Sequence, residues 1–153
     1  MTLQDGNMDD LENLIVKALQ NDARKSFKSI AADLDVSEST ISNRVNRLVQ
    51  NGILKLEARV NPFKLQNKVA ALVGMNVRHG SPGETLREIE KLPNVNAVWV
   101  TTGKYDLFAE VMADSINDLN EFVFGDGLSR IHDITLTETH IMLHSDTKYF
   151  KVG

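Results

Sequence analysis

The chain has 153 residues, 42% of them hydrophobic and 25% charged, with no cysteine and a formal net charge of −4. These fractions are typical of a globular protein and exclude a disordered chain. The length suits one domain or two small ones. The lack of cysteine excludes disulfides, thiolate metal sites and a cysteine nucleophile. The negative total weighs against nucleic-acid binding unless positive charge is concentrated in one segment.

The first 52 residues have the periodicity of helices. Their apolar spacing predicts three short helices, from Asp9 to Asn21, from Ser26 to Leu34 and from Ser37 to Gly52. Asp9 is the expected N-cap of the first helix, with Glu12 as the partner that completes a capping box. Gly52 stands where a glycine ends a helix in the left-handed conformation. Three short helices bury little apolar surface, which indicates a small first domain.

After residue 60 the apolar period changes to two, with helical segments in between. The predicted elements are a strand-like connector at Ile53–Val60, strands at Val69–Val77, Val95–Thr102, Leu107–Ala113 and Ile131–Leu143, and helices that begin at Ser81 and Ser115. After the connector, the order strand–helix–strand–strand–helix–strand is that of the split βαβ, or ferredoxin-like, arrangement. Its two helices cover one face of the sheet, so we expect a second copy of the chain on the other face.

These patterns predict an α+β protein with two domains. Residues 1–52 form a helix-turn-helix domain (winged-helix-like, three helices), residues 53–67 a linker strand or hinge, and residues 68–153 a ferredoxin-like βαββαβ domain that dimerises. The expected state is at least a homodimer.

The segment Phe27–Asn46 fits two helices that cross through a short turn, as in a helix-turn-helix. The apolar positions that this crossing requires are filled by Ala31, Leu34, Val36 and Ile41. Asp35 takes the turn position that needs left-handed geometry, which aspartate adopts less readily than glycine but more readily than most residues. The pattern therefore predicts a DNA-binding module, although such helical hairpins also serve as protein-interaction modules.

The third helix turns small polar side chains outward when its apolar face packs inward. The outward residues are Ser37, Ser39, Ser42, Asn43 and Asn46. Asparagine pairs bidentately with adenine and serine serves several bases, so these residues are the predicted readers of double-stranded DNA in the major groove. Arg44 and Arg47 border the same face and are predicted to contact phosphates. The alternative is a solvated helix face.

Positive charge is concentrated near this helix. Residues 24–59 contain seven basic and four acidic side chains, a local charge of +3, although the whole chain is at −4. Such asymmetry between segments is more informative than the total. The sequence therefore remains compatible with DNA binding.

Two sets of motifs resemble the Lrp/AsnC family of bacterial and archaeal transcription regulators. The first set is Ser-Glu-Ser-Thr-Ile-Ser-Asn-Arg-Val-Asn-Arg-Leu at residues 37–48, Asn-Gly-Ile at 51–53 and Asn-Pro at 61–62; the second is Thr-Gly-Lys-Tyr-Asp at 102–106. The resemblance covers about residues 8–150, with both domains in the expected order.

The resemblance implies a sequence-specific regulator that acts at the nucleoid in the cytoplasm. Members of this family dimerise through the ferredoxin-like domain, often assemble into tetramers or octamers, and many bind an amino acid or related metabolite at contacts between dimers. By resemblance, the residues that contribute to this effector pocket are Gly103, Tyr105, Asp106, Thr137 and Thr139. No cofactor is expected apart from this effector.

The loop at residues 103–106 suits such a ligand physically. Glycine exposes backbone N–H groups to a carboxylate, and Asp106 offers an acceptor to an ammonium group. The alternative is a hairpin turn whose aspartate holds its own backbone. Three departures from the family pattern bear on these expectations. Asp35 stands where the family usually has glycine, and Lys104 stands where an acidic residue is frequent. Gln66 stands at the position where glycine often follows the motif Asn-Pro-x-x-Leu.

Other function classes fit the sequence less well. It has no catalytic motif, so no enzyme is expected. Its three strand histidines, His132, His140 and His144, are too far apart along an extended strand for one metal site, so no metal is expected. The rival within DNA binding is a nucleoid-associated architectural protein without an effector, which would depend on phosphate contacts and DNA bending.

Overall fold

A computed structural model describes residues 8–78 and 82–151 of the chain. The chain divides into two compact units, Met1–Glu57 and Ala58–Gly153. The predicted helix cap at Ser81 lies outside the described residues. No helix in the described ranges has both the length and the apolar run that crossing a membrane requires.

The first unit contains the three predicted helices. They are α1 (Asp10–Asn21), α2 (Phe27–Asp33) and α3 (Glu38–Gln50). Each is capped by the side chain of the preceding residue, namely Asp9, as predicted, Ser26 and Ser37. The small core consists of Ile15, Leu19, Ile30, Ala31, Ile41 and Val45. Every helix contributes to this core, so the unit is a three-helix domain of the helix-turn-helix type.

Two turns of this unit use left-handed backbone. Asp35, between α2 and α3, has φ +52°, and the next residue donates its N–H to the Ala31 carbonyl at 3.0 Å. The expectation that aspartate replaces glycine here is confirmed. Gly52 has φ +69° directly after α3, and the Ile53 N–H then bonds the Leu48 carbonyl at 2.9 Å, the geometry of a glycine-terminated helix.

The predicted strand-like connector Ile53–Val60 is not a strand. Within this described segment, Val60 alone makes a β-bridge, to Phe150. The Leu54 N–H instead bonds the Leu48 carbonyl at 3.1 Å, and Leu54 packs against the helical core. The connector therefore begins by closing the end of α3 and adds no β wing to the helical unit.

The second unit is a four-stranded antiparallel sheet with two helices. Its elements are β1 (Val69–Val77), α4 (Pro82–Ile89), β2 (Val95–Val100), β3 (Leu107–Ala113), α5 (Ile116–Phe124) and β4 (Ile134–Ile141), and the strand order is β2-β3-β1-β4. This confirms the ferredoxin-like arrangement. The last strand is shorter than predicted, because residues 131–133 form a turn in which the Ile134 N–H bonds the Ile131 carbonyl at 3.1 Å.

The two faces of the sheet differ in what lies against them. The face toward the helices, called the helix-covered face, carries the buried apolar core: Ala71, Val73, Met75, Leu107, Ala109 and Val111, with Ile89, Leu119, Phe122 and Val123 from the helices. The opposite face, called the open face, carries the alternate residues of each strand, among them Gly74, Phe108 and Glu110.

Part of the open face is covered by the C-terminal segment of the same chain. Phe150 is fully buried and exchanges two backbone hydrogen bonds with Val60, at 2.8 and 2.9 Å. Lys148 forms an ion pair with the buried carboxylate of Glu110, and Asn96 donates to that carboxylate at 2.8 Å. The sequence pattern predicts that a second copy of the chain covers the open face. Around Glu110 this expectation is corrected, because the C-terminal segment of the same chain covers that part.

Candidate nucleic-acid interface and effector loop

Helix α3 presents a polar surface because its other side is anchored in the core. Ile41, Val45 and Leu48 are buried, which turns Ser39, Asn43 and Asn46 into solvent and leaves Ser42 half-buried. The Asn43 and Asn46 amides make no side-chain hydrogen bond with any other described residue. They lie three positions apart, one above the other on the helix, so both amides are available to a ligand on this face.

Hydroxyl groups cluster at the start of α3. The Ser37 Oγ accepts from the Thr40 N–H at 3.1 Å and lies 2.8 Å from the Ser39 hydroxyl and 2.7 Å from the Thr40 hydroxyl. Ser37 is therefore first a helix cap. Ser37 and Ser39 are thus predicted DNA readers whose hydroxyl groups already share a hydrogen bond at the start of their own helix.

The two arginines of α3 turn toward α1. Arg44 forms an ion pair with Asp9, and Arg47 forms one with Glu12. Glu12 is 1% exposed and also completes the capping box of α1, in which the Asp9 N–H donates to it at 3.2 Å. A carboxylate of the same unit therefore offsets each guanidinium charge in the protein alone, and the contact of both arginines with phosphates stays a prediction.

The local charge of +3 is likewise offset once the chain is folded. The segment 24–59 leaves out the acidic side chains of α1, which pair with its arginines. Residues 1–57 together contain seven basic and nine acidic side chains. Lys28, exposed on α2, has no ion pair with any other described residue. The unit that carries α3 is therefore net acidic.

The predicted effector loop packs onto the open face. Gly103 has φ +113°, which a side chain rarely adopts. Tyr105 is 6% exposed, and a Cβ on Gly74 would lie 2.8 Å from its ring. The same ring meets Phe108 edge-on, with centroids 5.5 Å apart. Gly74 thus leaves the space in which the Tyr105 ring lies against the sheet.

A carboxylate that the sequence analysis missed organises this loop. Glu138 of β4 accepts hydrogen bonds from the Tyr105 hydroxyl and, at 2.8 Å, from the Lys104 ammonium, and lies 3.0 Å from His140 Nε2. The Lys104 hydrogen bond, followed by that of Tyr105, lowers the pKa of Glu138 from 4.5 to about 2. The signal that could have found it is strand register, since Glu138 pairs with Gly74.

Asp106 uses its carboxylate inside the protein. Its Oδ2 accepts from the Val77 N–H at 3.0 Å, and its own N–H donates to the Met75 carbonyl at 3.0 Å. The alternative interpretation is a hairpin turn in which the aspartate holds the backbone of its own turn. Asp106 does hold backbone, but that backbone belongs to β1. Asp106 therefore joins the loop to the neighbouring strand.

Thr137 and Thr139 lie on the other face of the sheet. They pair with Met75 and Val73, whose side chains form the buried core under the helices. Tyr105 and Glu138 lie on the open face, so one subunit does not bring the two threonines together with the loop. Among the described residues, no group of three or more histidine, aspartate or glutamate side chains could hold a metal ion.

The fold and the α3 surface define a helix-turn-helix protein with an appended α+β domain, and comparison with known families agrees. Residues 8–49 match the AsnC-type helix-turn-helix domain, and residues 70–149 match the Lrp/AsnC ligand binding domain. The chain therefore belongs to the Lrp/AsnC family of transcriptional regulators, which are not enzymes.

Individual relatives span nearly the whole chain. A helix-turn-helix-type transcriptional regulator of Pyrococcus furiosus is 35% identical over 136 residues, which are 88% of this chain and 91% of that protein. The structure of E. coli AsnC has 30% identity and a TM-score of 0.70, covering 93% of this chain and 96% of AsnC. A Neisseria meningitidis regulator, solved in complex with L-Met, shares the fold at 20% identity, with a TM-score of 0.72 over 94% of each chain.

Proposed function

We propose that this regulator is sequence-specific and that Asn43 and Asn46, with Ser39 and Ser42, read base edges in the major groove. The observation that carries the proposal is the pair of exposed asparagine amides without a partner in the described residues, on a helix anchored by three buried side chains. An asparagine amide matches the donor and acceptor pattern of adenine. A recognition helix enters the groove in this manner in helix-turn-helix proteins.

The charge distribution favours reading of sequence over architectural wrapping. Wrapping depends on phosphate contacts and the release of counterions. The helical unit is net acidic, and both α3 arginines are paired with carboxylates. Uncharged donors and acceptors therefore supply most of the recognition surface that α3 offers.

The test begins with selection of a preferred duplex from a random pool with the wild-type protein. Asn43→Ala is then compared with Gln50→Ala, which truncates an exposed amide at the far end of the same helix. We expect Asn43→Ala to relax preference at one base position by about 1–3 kcal/mol and Gln50→Ala to leave it unchanged. Equal losses for Asn43→Ala on every duplex would contradict base reading.

The effector is a second part of the proposal. The second unit matches a ligand binding domain, and the Neisseria relative was solved with L-Met. We propose that an amino acid or related small metabolite binds near Gly103, Tyr105 and Asp106. Asp106 would act by holding the loop in place. Thr137 and Thr139 would take part from another subunit, at a contact between dimers.

A thermal-shift screen of the twenty amino acids tests this part, because a ligand of the native state raises the unfolding temperature. We expect one or a few amino acids to stabilise the wild type. Tyr105→Phe removes only the hydroxyl that donates to Glu138 and should weaken that response, while the matched Tyr149→Phe, at a half-exposed tyrosine of the C-terminal segment, should not. An unchanged response in Tyr105→Phe would place the ligand elsewhere.

The proposal on assembly of the chain into oligomers is based on apolar side chains exposed on the open face. Trp99 and Leu136 lie on the part of this face away from the C-terminal segment and are 38% and 46% exposed. We propose that a second copy covers them, giving a homodimer that assembles further into tetramers or octamers and acts at the nucleoid in the cytoplasm. Sedimentation equilibrium should give even multiples of the chain mass, and a monomer at micromolar concentration would contradict the proposal.

A further inference from the structure

The acidic start of α1 and the arginines of α3 form a cluster of two carboxylates and two guanidinium groups. Besides the two direct ion pairs, Arg44 Nη1 lies 3.6 Å from the Glu12 carboxylate, and Arg47 Nη2 lies 3.9 Å from the Asp9 carboxylate. Each arginine therefore touches both acids. The cluster joins helices that are 35 residues apart in sequence.

The two carboxylates of this cluster are held in place by hydrogen bonds at the start of α1, independently of the arginines. Asp9 accepts from the Glu12 N–H at 2.9 Å, and Glu12 accepts from the Asp9 N–H at 3.2 Å. The pKa of Asp9 is lowered, first by its hydrogen bond from the Glu12 backbone and also by Arg44. Both acids are therefore held, ionised in the case of Asp9, by the capping box itself.

The arginines lie beside the proposed reading face. Each follows an asparagine of that face by one position, Arg44 after Asn43 and Arg47 after Asn46. One position is a rotation of about 100° around an α-helix. A guanidinium released from α1 would therefore lie at the border of the reading face, where side chains contact the phosphates that flank the major groove.

We infer that Asp9 and Glu12 are specificity-determining residues, which hold the guanidinium groups of Arg44 and Arg47 against α1 and so suppress binding to DNA of any sequence. The inference rests on the proposed DNA-reading function of α3. Phosphate contacts strengthen binding to all sequences alike, whereas the asparagine contacts do not. Withholding two cations thus raises the ratio of specific to non-specific affinity.

The experiment compares variants that remove one negative charge each from the first turn of α1. Asp9→Asn removes the carboxylate that pairs with Arg44 and keeps a good N-cap. Glu12→Gln removes the partner of Arg47 and keeps a residue suited to a capping box. Asp10→Asn is the control, because Asp10 is exposed and contacts no charged group among the described residues. Circular dichroism checks that each full-length variant is folded.

The measured quantity is the slope of log affinity against log salt, on the selected duplex and on a scrambled one. We expect Asp9→Asn and Glu12→Gln each to steepen the slope, and the double variant, which removes both carboxylates, to steepen it by about two units. Affinity for scrambled DNA at low salt should rise about threefold per released arginine, and Asp10→Asn should leave the slope unchanged. Adding Arg44→Gln to Asp9→Asn should restore the wild-type slope.

Slopes equal to that of Asp10→Asn in folded Asp9→Asn and Glu12→Gln would overturn the inference and leave the proposed function standing. A steeper slope that survives Arg44→Gln in the Asp9→Asn background would also overturn it, because the gain would then not come from the released arginine. Failure of the proposed function looks different: the wild-type protein would then bind the selected and scrambled duplexes equally.

Discussion

The α3 surface and the Gly103–Asp106 loop are both polar sites predicted from short motifs, and they differ in what remains free after folding. On α3 both arginines are paired within the unit, and the neutral amides of Asn43 and Asn46 stay available. In the loop the neutral Tyr105 hydroxyl is used along with the charges, because Glu138 accepts from both Lys104 and Tyr105. The helix is thus ready for a ligand, whereas a ligand at the loop must compete with an internal network.

The largest expected effect is a loss of stability in the helical unit when a core side chain beneath the α3 surface is truncated. Ile41→Ala should destabilise the helical unit by about 2–5 kcal/mol, because Ile41 is fully buried beneath the α3 surface. DNA binding should fall with it, while the loop keeps its tyrosine fluorescence. Chemical denaturation monitored by circular dichroism measures the loss. Val49→Ala, which truncates a side chain 44% exposed on the same helix, should change stability little.

The second effect belongs to the loop. Gly74→Ala would place a Cβ 2.8 Å from the Tyr105 ring, so the ring must move. Overpacking of this kind costs about 1–3 kcal/mol in unfolding free energy. Adding Tyr105→Leu should recover part of that loss in a double-mutant cycle. Additive losses would show that Gly74 matters for a reason other than space for the ring.

Acid should weaken the network around the loop. The pKa of Glu138 is lowered to about 2, so its network stabilises the folded state above pH 4.5 and loses that contribution as the pH falls toward 2. Glu138→Gln should remove this part of the acid dependence, read from Tyr105 fluorescence between pH 5 and pH 2. The same acid dependence in wild type and Glu138→Gln would mean that other groups set it.

The smallest expected effect concerns Arg47. Arg47→Gln in the otherwise wild-type protein should leave the salt slope of DNA binding unchanged, because its charge is already offset by Glu12. Titration of a fluorescent duplex at several salt concentrations measures the slope. A decrease by about one unit would show instead that Arg47 leaves Glu12 and contacts phosphate in the complex.

Local patterns predicted local structure well. The capping box at Asp9, the left-handed Asp35 and the ends of β1 follow from short-range chemistry that a few neighbouring residues determine. The ferredoxin-like arrangement is also confirmed, because the alternation of elements leaves few topologies. The prediction of a strand-like connector at residues 53–60 is wrong, because alternation of apolar residues does not show whether a partner strand exists.

The sites depend on contacts that short-range patterns do not contain. Nothing near Arg44 in sequence indicates that Asp9, 35 residues earlier, is its partner. Period-two alternation does place Glu138 on the face opposite to Thr137 and Thr139. It does not show which of these faces carries Tyr105, because that depends on how the loop before β3 folds over Gly74.

The central claim is that uncharged side chains of α3 read sequence while the charge of the unit is held internally. The most direct test is the affinity of the wild-type protein for its selected duplex and for a scrambled duplex at physiological salt. We predict a ratio of about 10³ or more, the range of specific regulators. A ratio near one, with a steep salt dependence on both duplexes, would contradict the claim.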